Sequence, residues 1–447
     1  MAGMMADPSR LEFRVSPSAG LAGQVRVSGD KSISHRAVIF GAIAKGVTRV
    51  DNILEGEDVL ATIRAFRQMG VSIDRLGNRP GDNHYEIHGV GLNGLQQPAG
   101  GLDMGNSGTA FRLLAGLLCA QPWPSILTGD ASLSNRPMGR IIGPLGRMGA
   151  DIGSRDGKPP LEMRPAGQLN PIRYTLPMAS AQVKSAILLA GLYANGRTVV
   201  TENVPTRDHT ERMLQGFGYP VEQSGGVISL HGGGELTARH IEVPADLSSA
   251  TFFLLAGLLC RNSELLLHQV GMNPSRNGVI RLFRRMGGSV SVINESVIGG
   301  EPVADIVVKT SQLKGIEIEK SDIALSIDEI PAVAVAAACA AGVTRISQAE
   351  ELRVKESDRI RSIVLGLRAL GVEVMEKHDG MVIRGGELSA GSVDSFGDHR
   401  IAMAFAMAGT VARGPVKIRD CSNVSTSFPA FPQLAEQVGV NIAVIQS

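Results

Sequence analysis

Gln68-Met69-Gly70-Val71-Ser72-Ile73 is the first of six related phrases in a chain of 447 residues. The others are Arg147-Met148-Gly149-Ala150-Asp151-Ile152, Gly216-Phe217-Gly218-Tyr219-Pro220-Val221 and Arg285-Met286-Gly287-Gly288-Ser289-Val290, then Ala369-Leu370-Gly371-Val372-Glu373-Val374 and Gln437-Val438-Gly439-Val440-Asn441-Ile442. In each, an amphipathic helix ends on an apolar residue, Gly turns the chain through the left-handed region, and a strand-like alternation comes next. The glycines recur at intervals of 68 to 84 residues. That length suits one supersecondary unit per interval.

One helix earlier, every unit has a polar turn of small residues before a very apolar helix. The six starts are Gly29-Asp30-Lys31-Ser32, Gly105-Asn106-Ser107-Gly108-Thr109 and Met178-Ala179-Ser180-Ala181-Gln182, then Ala245-Asp246-Leu247-Ser248-Ser249, Ser326-Ile327-Asp328-Glu329 and Phe396-Gly397-Asp398-His399-Arg400. The helix bodies, such as 252–259 and 332–341, are almost wholly apolar. A helix apolar on all sides is a buried one. Each unit therefore holds one buried helix, one amphipathic helix and several short strands. Three units bury three helices inside a sheet-walled module, and six make two modules. The boundary is placed near Val243-Pro244, and the strand before Gly29 is expected to pair with the second half. The expected fold is α/β (α+β), with a first domain at 29–244 and a second at 1–28 plus 245–447. A continuous open solenoid of six units satisfies the same repeats.

Composition narrows the function. Net charge is +1, so no overall basic field points to nucleic acid or a membrane surface. Aromatic residues make up 4%, too few for base-stacking platforms. Cys119, Cys260, Cys339 and Cys421 are widely spaced, with no CxxC or Cys/His cluster. Reduced thiols in a cytoplasm are the expectation. Residues 1–12 show neither an apolar signal core nor an Arg/Ser-rich transit pattern. The longest apolar run, 332–343, is shorter than the roughly 18 residues a membrane span needs.

The stretch Gly29-Asp30-Lys31-Ser32-Ile33-Ser34-His35-Arg36 puts two cations at a helix start. The helix dipole disfavours cations there by about 0.3–1 kcal/mol each. An anionic ligand held by free N–H groups and both side chains would repair the mismatch; cations turned to solvent are the plainer alternative. Other charges gather at the same polar starts: Arg112, Lys184, Asp328, Glu329, Asp398, His399 and Arg400. The starts of the amphipathic helices add Arg136, Arg207-Asp208-His209 and Lys355-Glu356-Ser357-Asp358-Arg359. Equivalent units place these starts at one end of each module. Two modules facing by those ends would enclose a cleft for an oligo-anionic small molecule. Asp328 and Glu356 are the acid or base candidates. Each also suits a plain helix cap, and Arg136, Arg207 and Arg359 suit surface ion pairs. His209 and His399 have no second His at metal spacing, so no metal is expected.

Together the motifs Gly29-Asp30-Lys31-Ser32, Gly105-Asn106-Ser107-Gly108-Thr109, Arg136-Pro137, Ala179-Ser180-Ala181-Gln182, Val354-Lys355-Glu356-Ser357-Asp358-Arg359 and Asp398-His399-Arg400 resemble the EPSP synthase family of enolpyruvyl transferases. The resemblance runs from about Gly23 to Phe431, and Thr206-Arg207-Asp208-His209-Thr210 is similar to the class II bacterial branch. It implies two pseudo-threefold domains of βαβαββ units, an inside-out α/β barrel with the active site in the interdomain cleft. It implies transfer of the enolpyruvyl group of phosphoenolpyruvate to the 5-hydroxyl of shikimate 3-phosphate. That reaction belongs to the shikimate pathway to chorismate and the aromatic amino acids. The implied enzyme is a cytoplasmic monomer without cofactor or metal, binding small-molecule substrates and neither nucleic acid nor membrane.

The resemblance assigns shikimate 3-phosphate to Lys31, Ser32, Arg36, Ser180, Ala181, Gln182, Arg207, Asp328 and Lys355. It assigns phosphoenolpyruvate to Lys31, Gly108, Arg136, Gln182, Arg359 and Arg400. Asp328 would take the hydroxyl proton, and Glu356, with Lys31, would protonate the enol carbon. Three positions depart from the family pattern. Ala181 stands where many members have a second Ser, Thr426 where many have Lys, and Leu113 where others have Pro. Some class II members tolerate glyphosate through an Ala at the Gly108 position; with Gly there, any tolerance of this chain is expected to come from elsewhere in the site. The sister transferase acting on UDP-N-acetylglucosamine usually offers a Cys on a mobile loop, whereas Ala131-Ser132-Leu133-Ser134-Asn135-Arg136 has none. A non-catalytic anion-binding repeat protein is the remaining alternative.

Overall fold

The computed structural model describes residues 11–77 and 83–446. Of the segment read as free of a targeting signal, only Leu11 and Glu12 lie inside the described residues. The chain forms two compact units. One, here the insert unit, comprises Gly29–Val243 with Val297–Glu301; the terminal unit comprises Met1–Ser28, Pro244–Ser296 and Pro302–Ser447. The turn 297–301 joins strands Ser289–Ile298 and Glu301–Lys309, and its grouping with the insert unit has no signal in the repeats.

Among the described residues, six four-stranded sheets each carry one outer strand that runs parallel to its neighbour. In the first sheet His240–Glu242 runs parallel to Lys45–Asp51, with Ile241 opposite Val50. The last strand of the insert unit thus pairs with its first repeat and closes three repeats into a ring. An open solenoid would hold those ends apart, so that alternative falls. The terminal unit closes with the beginning of the chain. Ala22–Val25 lies parallel to Glu264–Gly271, and Leu11–Ser16 fills the sixth sheet between Val416–Arg419 and Asn441–Gln446.

The six apolar helices are Lys31–Ile43, Gly108–Leu118, Ala181–Gly191, Leu247–Leu259, Ile330–Ala338 and His399–Gly409, and they form the centres of two separate cores. Amphipathic helices such as Glu57–Gln68 and Arg359–Ala369 cover them beside the sheets. The six signature glycines have φ between 80° and 97°. This is the left-handed turn that lets each helix stop and a strand begin. Among the described residues, the fifth unit departs from the repeat reading at its buried helix. A short helix, Lys320–Ser326, precedes the fifth buried helix, and Glu329, at the N-cap position of that buried helix, makes no side-chain capping bond. Among the described residues no helix is long and apolar enough to cross a membrane.

Close helix packing explains another glycine. A Cβ on Gly116 would lie 2.2 Å from the carbonyl oxygen of Ala186. The second and third buried helices therefore touch through backbone. Gly116→Ala is expected to lower stability by about 1–3 kcal/mol through overpacking. A urea midpoint equal to the parent's would show that the helices can part without cost.

Candidate active site

In the insert unit, the Asp30 side chain accepts the Ile33 N–H at 2.9 Å and caps the first buried helix. Lys31 comes next, its Nζ 2.9 Å from Asp58 Oδ2. Arg36 is only 2% exposed, so the solvent-facing alternative fails for it. Its Nε donates to Thr210 Oγ1 at 2.7 Å, one Nη to Ser185 Oγ at 2.9 Å and the other to the Ser32 carbonyl at 2.9 Å. A guanidinium has five N–H groups. Three are anchored, and the plane of the group is set by partners on three elements. Burial pushes Arg36 down to about 10, still well above neutrality.

A second cluster surrounds Gly108, the first residue of its helix. Arg112 Nη1 donates to Gln182 Oε1 at 2.7 Å, and Gln182 Nε2 donates to Thr109 Oγ1 at 2.9 Å. Arg136 Nη2 donates to Asn106 Oδ1 at 2.7 Å. A Cβ on Gly108 would meet Arg112 Nη1 at 2.8 Å and Arg136 Nη1 at 3.0 Å. The missing side chain leaves room between two guanidinium groups. Ser180 caps the third buried helix through the Val183 N–H, with Ala181 and Gln182 in its first turn. Arg207 is close enough to Arg36 for its charge to disfavour the Arg36 cation. Lys184 does not belong with these groups. Its side chain is fully buried between Glu202, at 3.1 Å, and Glu211, at 2.7 Å.

The terminal unit gathers its charges around Arg359, whose side chain is 0% exposed. Arg359 Nε donates to Asp398 Oδ2 at 2.8 Å, Nη1 lies 3.4 Å from Asp328 Oδ1 and Nη2 lies 2.5 Å from Glu356 Oε2. Burial opposes the charge, but Asp398, Glu356 and Asp328 raise the pKa of Arg359 above the ordinary guanidinium value. Arg400 Nη1 donates to the Asp328 carbonyl at 2.9 Å, and Arg400 Nη2 lies 4.0 Å from its carboxylate. Glu329 is buried beside Arg400 and accepts the Ser248 hydroxyl. Burial, opposed by Arg400 and helped by Asp328, raises its pKa. Lys355 is partly exposed and pairs with Glu351 at 3.5 Å. The Thr426 hydroxyl donates to the Asn423 carbonyl at 2.7 Å.

Within each unit, then, the structure brings together most of the residues singled out from the sequence. It adds Asp58 and Ser185 as direct partners of Lys31 and Arg36, and it pairs two residues already quoted, Thr210 with Arg36 and Glu329 with Arg400. Asp58 looks in sequence like any acid in a first helical turn. Ser185 and Thr210 look like ordinary helix residues.

A family model described as EPSP synthase (3-phosphoshikimate 1-carboxyvinyltransferase) matches residues 15–434. The chain belongs to the EPSP synthase family. A protein of Acidithiobacillus ferrooxidans named 3-phosphoshikimate 1-carboxyvinyltransferase is 57% identical over 97% of this chain and 99% of its own. One of the same name from Nitrosococcus oceani is 54% identical over 97% of each chain. A solved EPSP synthase from Acinetobacter baumannii superposes with a TM-score of 0.87 at 50% identity, covering 98% of this chain and all of that one. The two-unit α/β architecture is thus that of an EPSP synthase.

Proposed function

We infer that the chain transfers the enolpyruvyl group of phosphoenolpyruvate to the 5-hydroxyl of shikimate 3-phosphate and releases phosphate. The match to one family across residues 15–434 carries this reading. We further propose that Lys31, Ser32, Arg36, Ser180, Ala181, Gln182, Arg207, Asp328 and Lys355 contact shikimate 3-phosphate. Lys31, Gly108, Arg136, Gln182, Arg359 and Arg400 contact phosphoenolpyruvate. The two N–H groups of Arg36 beyond its three anchored ones suit an acceptor oxygen. Arg359 Nη1, at 3.4 Å, and Arg400 Nη2, at 4.0 Å, flank the Asp328 carboxylate proposed as the base.

In this reading the 5-oxygen attacks C2 of the enol, its proton passes to Asp328, and Glu356, with Lys31, supplies a proton to C3. The C2–O bond to phosphate then breaks and C3 gives up a proton, restoring the vinyl group. Glu356 is tied to Arg359 Nη2. A substrate anion that draws this donor away leaves Glu356 better able to hold a proton. Arg136, Arg359 and Arg400 act electrostatically on the carboxylate and phosphate. No cofactor or metal enters the proposed steps. The enzyme is proposed to work as a cytoplasmic monomer and to bind neither nucleic acid nor membrane, which a net charge of +1 supports.

The test is phosphate release from phosphoenolpyruvate with shikimate 3-phosphate or UDP-N-acetylglucosamine as acceptor. Release with the first alone is expected; release only with the nucleotide sugar would overturn the acceptor. Gly108→Ala bears on the donor contacts. Its methyl displaces the Arg112 and Arg136 guanidinium ends, and KM for phosphoenolpyruvate is expected to rise about tenfold, the scale of one charged hydrogen bond. Inhibition by glyphosate is expected to weaken in the same variant. An unchanged KM and unchanged inhibition would remove Gly108 from the donor contacts.

A further inference from the structure

The segment before Arg207 is held by two buried side chains from different elements. Thr206 N–H donates to Glu202 Oε2 at 3.2 Å, and Thr206 Oγ1 donates to the same oxygen at 2.7 Å. Lys184 Nζ donates to the Thr206 carbonyl at 3.4 Å and to Glu202 Oε2 at 3.1 Å. The N–H, the carbonyl and the hydroxyl of one residue are therefore engaged by a single ion pair. Glu211, in the helix His209–Gly216 just after Arg207, holds Lys184 from the other side. Lys184 stands two residues after Gln182 and four after Ser180 on the third buried helix. One buried cation thus connects the turn carrying Arg207 to the helix start carrying Ser180 and Gln182.

We propose that Lys184, Glu202 and Thr206 are positioning residues that set Arg207 in register with Ser180 and Gln182 for the acceptor phosphate. This rests on the proposed role of Arg207 in binding shikimate 3-phosphate. A fully buried lysine is a costly way to hold a surface turn, since its charge must be compensated there. Its use is explained by Arg207, the chain neighbour of Thr206.

Removing Lys184 leaves two buried glutamates and risks unfolding, so the test uses Thr206. Thr206→Val keeps the shape and removes the hydroxyl bond to Glu202; Thr206→Ser keeps the bond. Thr206→Val is expected to raise KM for shikimate 3-phosphate about tenfold, the scale of one hydrogen bond to a charged group, with KM for phosphoenolpyruvate and kcat unchanged. Thr206→Ser should restore the parent value. In an Arg207→Ala background, Thr206→Val should add nothing, because its effect passes through Arg207. Full additivity of the two changes would overturn the proposal, as would an equal rise in both KM values. If Arg207→Ala raises the acceptor KM and Thr206→Val does not, only the positioning role falls. If Arg207→Ala itself leaves that KM unchanged, the acceptor assignment of Arg207 falls, and the positioning role with it.

Discussion

Asp328→Asn is expected to lower kcat by about 10²–10⁴-fold, the usual range for loss of a general base. The substitution keeps the shape of the side chain and removes its capacity to take a proton. Position should be retained, because Arg400 Nη1 is bonded to the backbone carbonyl of Asp328, which the change does not touch. KM for either substrate should therefore move little. Glu329 is the nearest candidate to stand in, but its carboxyl is buried and engaged by the Ser248 hydroxyl, with Arg400 Nη1 at 3.7 Å. Losing the Asp328 charge relieves Glu329 of one repulsion but leaves it buried and bonded to Ser248. Steady-state phosphate release with both substrates saturating is the measurement, with a thermal melt as control. A kcat within a few-fold of the parent and a normal melt would exclude Asp328 as the base.

Arg359→Met is expected to destabilise the protein by about 3–5 kcal/mol, the cost of leaving a buried charge without its partner. Asp398 is 0% exposed and loses its charge partner. The Arg400 N–H and the Ser357 hydroxyl remain as donors to Asp398, but neither is a cation. Asp328 and Glu356 lose their shared neighbour at the same time. Arg359→Lys keeps the charge but not the fork that reaches three carboxylates, so an intermediate loss is expected. Urea unfolding of the whole chain measures this. A loss under about 1 kcal/mol for Arg359→Met, the level of a surface pair, would mean that water reaches the three carboxylates. Activity should fall in both variants, since phosphoenolpyruvate is proposed to share the same guanidinium.

Much of the fold was legible because its determinants are local. A glycine needed at positive φ leaves a mark at one position, and all six signature glycines adopt it. A helix buried on every side is apolar on every side, and all six were readable from composition alone. The polar starts were legible for the same reason, since Asp30, Ser107, Ser180, Asp246 and Asp398 each cap the helix they precede. The fifth start was misleading. Asp328 looks like a cap, yet a helix already precedes it and its side chain faces Arg359 and Arg400. Lys184 was misleading in the opposite sense, placed among ligand-binding cations when two buried carboxylates already hold it.

By itself, the sequence determined the number of repeats, the element order within each and the identity of the buried helices. Each depends on propensity, capping and hydrophobic period over a few residues. The tertiary structure alone decided ring closure and the pairing of charges. Ile241 meets Val50, His209 meets Glu301 across 92 residues, and Arg359 meets Asp398 across 39. No local rule selects such partners. A buried charge takes whichever opposite charge the packed chain brings within reach, and that is set only when the elements have been assembled.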